Sequence, residues 1–312
     1  MLYNVEGIVI RTVAYGETHA VVTLLTPAGT LGAMARGAKK PQSRLAAGIQ
    51  FCVQGIYTVY QGRGMGNLQQ VEITRSRRGL REHLDKAAYA AYFCELAASA
   101  SETYPHGSES LFTQFSALLD RLEEGRDDPE VLARMWEAKI LYMLGAAPDW
   151  LHCAACGAPF GAGANGGAVA DATTSGTGTA MDGRVVVSGT APRPEALGYS
   201  PVHGGLVCPR CRDMPAAPRT DGTPNAPLSP GILPVPGALP RILHQFTHVP
   251  WNRLGTVQLS PPTRRALDHV LRLQLREFAG VSPRSREFLD GLSSLEAEGE
   301  RLARRERDEN SP

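Results

Sequence analysis

The chain has 312 residues, of which 20% are charged and 6% aromatic, and a formal net charge of +1. That length suffices for two domains with buried cores, so folding needs no disulfide scaffold. The opening Met1-Leu2-Tyr3-Asn4-Val5-Glu6 lacks the cationic start and apolar run of a secretory signal, and no stretch approaches the roughly 20 apolar residues of a membrane span. A cytoplasmic location with reduced thiols is expected.

The small net charge hides an asymmetry. Residues 1–81 hold ten basic and three acidic side chains, a net +7, which leaves −6 for the remainder. A cationic head on an anionic body predicts a polyanionic partner for the head, and nucleic acid is the commonest.

Residues 1–80 read as short strands. Gly7–Val13, Ala20–Leu25, Leu31–Gly37, Gln50–Val53, Gly55–Tyr60 and Leu68–Ile73 are the apolar or β-branched runs. They are separated by turns such as Thr26-Pro27-Ala28-Gly29-Thr30 and Gln61-Gly62-Arg63-Gly64-Met65-Gly66-Asn67. Several strands without intervening helices predict a small barrel or sandwich, and a five-stranded barrel of the OB type fits the length.

From residue 82 the hydrophobic period becomes helical. Helices are predicted over Asp85–Ser101, over Ser108–Glu124, and from Pro129 to a stop at Gly145, with Asp128 as N-cap. The last of these is apolar nearly all round, which predicts a buried helix. Residues 161–200 are low in complexity and residues 215–240 are Pro-rich; both are expected to be mobile, with one strand near Arg184–Val187. The chain resumes at Ile242–Phe246. A helix is expected from Ser260 to Gly280, with Leu267, Leu271, Leu275 and Phe278 on its buried face, and a charged tail follows from residue 296.

The fold class expected is therefore α+β. Its parts are a barrel (1–81), a first helical part (82–150), a cysteine-bearing finger (151–214) with a flexible insert (161–200), a linker (215–240), a last helical part (241–295) and a tail (296–312).

Cys153-Ala154-Ala155-Cys156-Gly157 and Cys208-Pro209-Arg210-Cys211 carry the sharpest chemistry. Two residues between cysteines turn both thiolates of a pair onto one ion, and two such knuckles complete the four-sulfur shell that zinc favours. Four thiolates leave no open coordination position, so one structural Zn2+ is expected. The 51-residue spacer (157–207) is long, but loop closure costs grow only logarithmically with length. His152 and His203 flank the cysteines as substitute ligands; Cys52 and Cys94 read as core residues.

No histidine is followed two positions on by Glu, which excludes zinc-deaminase chemistry. No Walker sequence, Ser/His/Asp order or His-Glu-x-x-His appears, so no catalytic step is expected. Gly62-Arg63-Gly64-Met65-Gly66 precedes a strand and reads as a turn rather than a phosphate loop.

Two basic clusters are the candidate DNA contacts: Arg36, Lys39, Lys40 and Arg44 on one loop, and Arg75, Arg77, Arg78 and Arg81 after the last strand. Tyr57 and Tyr60 fall on opposite faces of a strand, so at most one is available to stack on bases.

Glu6–Ile10, Tyr15-Gly16-Glu17, Arg36-Gly37-Ala38-Lys39-Lys40 with Ser43-Arg44, Leu144–Pro148, both cysteine pairs and Pro283–Leu289 together resemble, in order, the bacterial RecO family. The resemblance implies an OB-fold, a helical domain with an embedded zinc finger, binding of single- and double-stranded DNA, and strand annealing. It also implies partnership with RecR and single-strand-binding protein (SSB), loading of RecA, and association with the nucleoid. It makes Arg36, Lys39, Lys40 and Arg44 candidate DNA contacts and the four cysteines candidate zinc ligands. A zinc-ribbon adapter that mainly binds protein, or a metal-dependent nuclease, would be the alternatives.

Overall fold

A computed structural model of the chain describes residues 1–103, 108–160, 185–188, 197–213 and 231–292. By its contacts the chain divides into two units, one of residues 1–129 with 282–312 and one of residues 130–281.

The first unit is built on five strands: β1 (Leu2–Tyr15), β2 (His19–Thr26), β3 (Gly29–Ala35), β4 (Gln54–Tyr60) and β5 (Gly66–Arg75). They close into a barrel in the order β1-β2-β3-β5-β4, with β4 returning to β1. Only the β3–β5 pairing is parallel. This is the five-stranded OB-type closure expected from the turn spacing. Val9, Val22, Leu24, Ala33, Tyr57, Val59 and Leu68 fill the interior.

The expected strand at Gln50–Val53 is a turn instead. Cys52 adopts a left-handed φ of 65°, its N–H donates to Val9 O, and Val9 N–H donates to Val53 O. The chain is thereby turned into β4 rather than extended. The segment between β3 and β4 seals the barrel by burying Ala38, Leu45 and Ile49 in its core. Gly48 in this segment lies so close to Val71 that a Cβ would come within 2.6 Å of it.

A short helix α1 (Gly79–Glu82) leads to α2 (Leu84–Thr103) and α3 (Ser108–Glu124), the latter with the expected bounds. Helices α2 and α3 pack together and against β1–β3. Residues 285–292 are helical and return to α2. There the Glu95 carboxylate accepts from the N–H groups of Arg284 and Ser285 and from Ser285 Oγ, at 2.6–2.9 Å. Burial raises the Glu95 pKa, but these hydrogen bonds outweigh it and hold the group below its ordinary value.

In the second unit α4 (Pro129–Met143) starts at Pro129, and Gly145 beyond it has a positive φ of 68°, as its sequence indicated. Every residue from Val131 to Leu141 is buried, including three charged ones. Arg134 is paired at 2.8 Å with both Glu137 and Asp268. The Lys139 ammonium donates to Thr247 O and Val249 O and lies over Trp251. Burial lowers its pKa to about 8.

The remaining strands are short. Of the low-complexity stretch, β6 (Val185–Ser188) and β7 (Leu197–Ser200) are described; the expectation of mobility for 161–184 and 189–196 lies outside the described residues. β8 (Gly205–Val207) and a one-turn helix α5 (Pro209–Asp213) follow. Residues 231–240, expected to be linker, instead hold β9 (Leu233–Val235) and the start of α6 (Leu239–His248). Sheet pairing of β9 with β7 explains the difference. β10 (Leu254–Gln258) pairs in parallel with β6. Helix α7 (Pro261–Phe278) buries Leu267, Leu271 and Leu275, but Phe278 at its last turn is 43% exposed. The charged tail lies outside the described residues.

Candidate metal centre and nucleic-acid interface

The first cysteine knuckle hangs on backbone hydrogen bonds. Cys153 N–H donates to Ala158 O and Gly157 N–H to Cys153 O, both at 2.8 Å, and Gly157 takes the left-handed φ of 73° that the turn needs. The second knuckle leaves β8 and enters α5, where Arg212 N–H donates to Cys208 O. The two knuckles are joined directly by Ala154 N–H to Leu206 O at 2.8 Å and by Cys208 N–H to Cys153 Sγ at 3.3 Å. Behind them, Tyr199 of β7 donates to Gln274 Oε1, and Gln274 Nε2 to Ala146 O. The hairpin is thus fixed to α7 and to the exit of α4. At the β7–β8 turn a Cβ on Gly204 would come within 2.7 Å of the Phe278 ring.

All four Sγ atoms, those of Cys153, Cys156, Cys208 and Cys211, lie within 4.8 Å of one another. The Cys156–Cys208 separation is 3.9 Å. Tetrahedral bonds of about 2.3 Å imply sulfur–sulfur edges of about 3.8 Å, so the set fits one ion of zinc's size. Burial disfavours the Cys153 thiolate, but N–H groups of Cys208, Cys156 and Ala155 bring its pKa down to about 7. Burial and the neighbouring sulfurs push the Cys211 thiol up. The flanking histidines make other bonds: His152 Nδ1 lies 2.7 Å from Asp149 Oδ2, and His203 Nδ1 lies 2.9 Å from Ser200 Oγ.

The two basic clusters are held differently. Lys39, Lys40 and Arg44 are exposed on a loop whose apolar residues Ala38 and Leu45 are sunk in the barrel. Lys39 N–H donates to Thr18 O and Gly37 N–H to His19 Nδ1, tying the loop to the β1–β2 turn. Arg36 donates to Asn67 Oδ1 on β5. Among the described residues, none of these four cations is in an ion pair.

Arg75, Arg77, Arg78 and Arg81 are all engaged within the chain. The Arg77 side chain is 0% exposed, pairs with Asp120 at 2.8 Å, and donates to Cys52 O, Gln54 Oε1 and Ser116. It holds the barrel to α3, which corrects its assignment as a surface contact. Arg75 shares Asp120, Arg78 pairs with Glu82, and Arg81 donates to the carbonyls of Phe51 and Ser76. Tyr57 is buried in the barrel and donates to Gly48 O, whereas Tyr60 is exposed. Cys52 and Cys94 are buried with their sulfurs 4.0 Å apart.

The fold and site define a class: a protein with an OB-type barrel, a helical remainder and a cluster of four cysteines that could hold a metal ion. The family model described as "Recombination protein O N terminal" matches residues 1–77, and "Recombination protein O C terminal" matches residues 81–191. The DNA repair protein RecO of Bacillus subtilis (strain 168) is 33% identical over 95% of this chain and 96% of its own length. That of Bacillus mycoides (strain KBAB4) is 32% identical over 95% of this chain and all of its own. The chain belongs to the RecO family. Among the described residues, no helix is long and apolar enough to cross a membrane.

Proposed function

We propose that the chain is a DNA-binding and strand-annealing mediator of recombinational repair, working with RecR and single-strand-binding protein to load RecA. The observation that carries this reading is the loop of Arg36, Lys39, Lys40 and Arg44, anchored on the barrel in a member of this family and, among the described residues, without an ion pair. Cations so held neutralise phosphates and release counterions, and the strands of a complementary pair then approach with less repulsion. The contact is with the phosphate backbone, so it carries no sequence preference. Arg75, Arg78 and Arg81 are secondary, because each already has a partner inside the chain.

The cysteine cluster holds one Zn2+ in a structural role. Bound metal would relieve the crowding of the four sulfurs and contribute folding energy to the unit around it. The protein's part in repair is to hold strands and partners together; no group near the metal or the loop is assigned a chemical step.

An annealing assay on complementary oligonucleotides coated with single-strand-binding protein tests the whole reading. Acceleration by the chain supports it; absence of annealing together with absence of DNA binding in dilute buffer overturns it. Metal analysis tests the second part. One zinc per chain is expected, lost in the Cys153→Ser/Cys156→Ser variant along with protease resistance of the described part of the second unit. Unchanged metal content in that variant would contradict the ligand assignment.

A further inference from the structure

The strand register divides the outer surface of the barrel into a covered end and an open end. Cross-strand partners share a face. Thr12 and Ala14 of β1 pair with Val22 and Ala20, which point into the core. Arg11, Val13 and Tyr15 pair with Thr23, Val21 and His19, so this set points outward, and Met34 joins it opposite Val21. Further along the same face Ile8 pairs with Leu25, and both are 0% exposed, on the strands where α2 and α3 pack. Val13 and Tyr15 are instead 44% and 59% exposed.

The open end thus sets exposed Tyr15 and Val13 beside half-buried Val21 and Met34, with Arg11 two residues along from Val13 and Arg36 two residues along from Met34. The basic loop borders the same end, through Lys39 N–H to Thr18 O and Gly37 N–H to His19. From Arg11 to Arg44 the chain carries five cations and one carboxylate, Glu17. An apolar face rimmed by cations on a small barrel suits a ligand with flat apolar groups on an anionic thread. That description fits unpaired nucleic acid and does not fit a duplex, whose bases are stacked away.

The geometry points to this face as the base-stacking platform for single-stranded nucleic acid, with Tyr15 as the stacking side chain and Arg11 and Arg36 as the phosphate clamp. The inference rests on the reading that the barrel binds DNA and assigns the part of it that separates single strands from duplex. Duplex contact needs only the loop.

The test is binding of the full chain to three labelled probes: a dT oligonucleotide, an abasic oligonucleotide with the same number of phosphates, and a duplex of equal length. Tyr15→Ala should weaken dT binding about ten-fold and leave the abasic and duplex probes unchanged, while Tyr15→Phe keeps near-parent affinity. Photocrosslinking of an oligonucleotide carrying 5-iodouracil should label the segment from Arg11 to Met34. A Tyr15→Ala variant that binds dT as tightly as the parent overturns the platform, as does one that weakens on all three probes alike. A shift in oligomeric state with unchanged dT binding would make the face a protein interface instead. Loss in Lys39→Ala/Lys40→Ala/Arg44→Ala without loss in Tyr15→Ala would sink this inference while leaving the proposed function standing. A parent chain that binds none of the probes would sink both.

Discussion

Lys39, Lys40 and Arg44 stand on a loop with a single carboxylate nearby in the chain, Glu17, whereas Arg75, Arg77, Arg78 and Arg81 stand among Asp120, Glu82 and several backbone carbonyls. With Arg36 counted in the first, the two clusters hold four cations each and are of similar length in sequence. In the fold the first meets no carboxylate among the described residues, whereas Arg75 and Arg77 of the second join the barrel to α3 through Asp120. Clustered cations therefore point to a polyanion only when the fold does not bring carboxylates to them. The first cluster is anchored by apolar neighbours, Ala38 and Leu45, which fix its backbone without neutralising its charge.

The largest expected effect comes from the second cluster. Arg77→Ala removes a fully buried guanidinium and with it the donors to Gln54, Ser116, Asp120 and the Cys52 carbonyl. It should cost about 3–5 kcal/mol in urea unfolding, with an unaltered salt dependence of DNA binding in the folded fraction. A stable Arg77→Ala variant with a flattened salt dependence would merge the two clusters and break the comparison. Next, the Lys39→Ala/Lys40→Ala/Arg44→Ala variant should lose about ten- to a hundred-fold in DNA affinity at moderate salt, while its unfolding midpoint stays within about 0.5 kcal/mol of the parent. Loss of stability in its place would make the loop structural. The smallest effect belongs to Arg78→Ala. Its exposed pair with Glu82 is worth no more than about 0.5 kcal/mol to stability, and its affinity for DNA should match the parent's in the same titration.

What the sequence made legible was local. The bounds of α3 and the start of α4 follow from a helical period and from Pro129, signals contained within a few residues. The cysteine knuckles are legible because each pair carries its own spacing, and only the approach of the two pairs is a matter of tertiary structure. What stayed hidden depends on distant partners. Asp120 lies 43 residues from Arg77, so no window of sequence shows that the arginine is spent. Gln50–Val53 has strand composition, and its turn depends on Val9 across the barrel. Tyr15 gives no signal either: it stands at the end of β1, where Arg11 to Tyr15 are all exposed. Buried Arg134 and Glu137, with half-buried Asp268, were equally invisible, since an all-round apolar reading of α4 passes over its charges.

The most direct test of the central claim, that the loop of residues 36–44 meets the phosphates, is a salt titration of single-stranded DNA binding by the parent chain and by Lys39→Ala/Lys40→Ala/Arg44→Ala. Removing three phosphate contacts should reduce the slope of log affinity against log salt by about 2. An identical slope in the two proteins would contradict it.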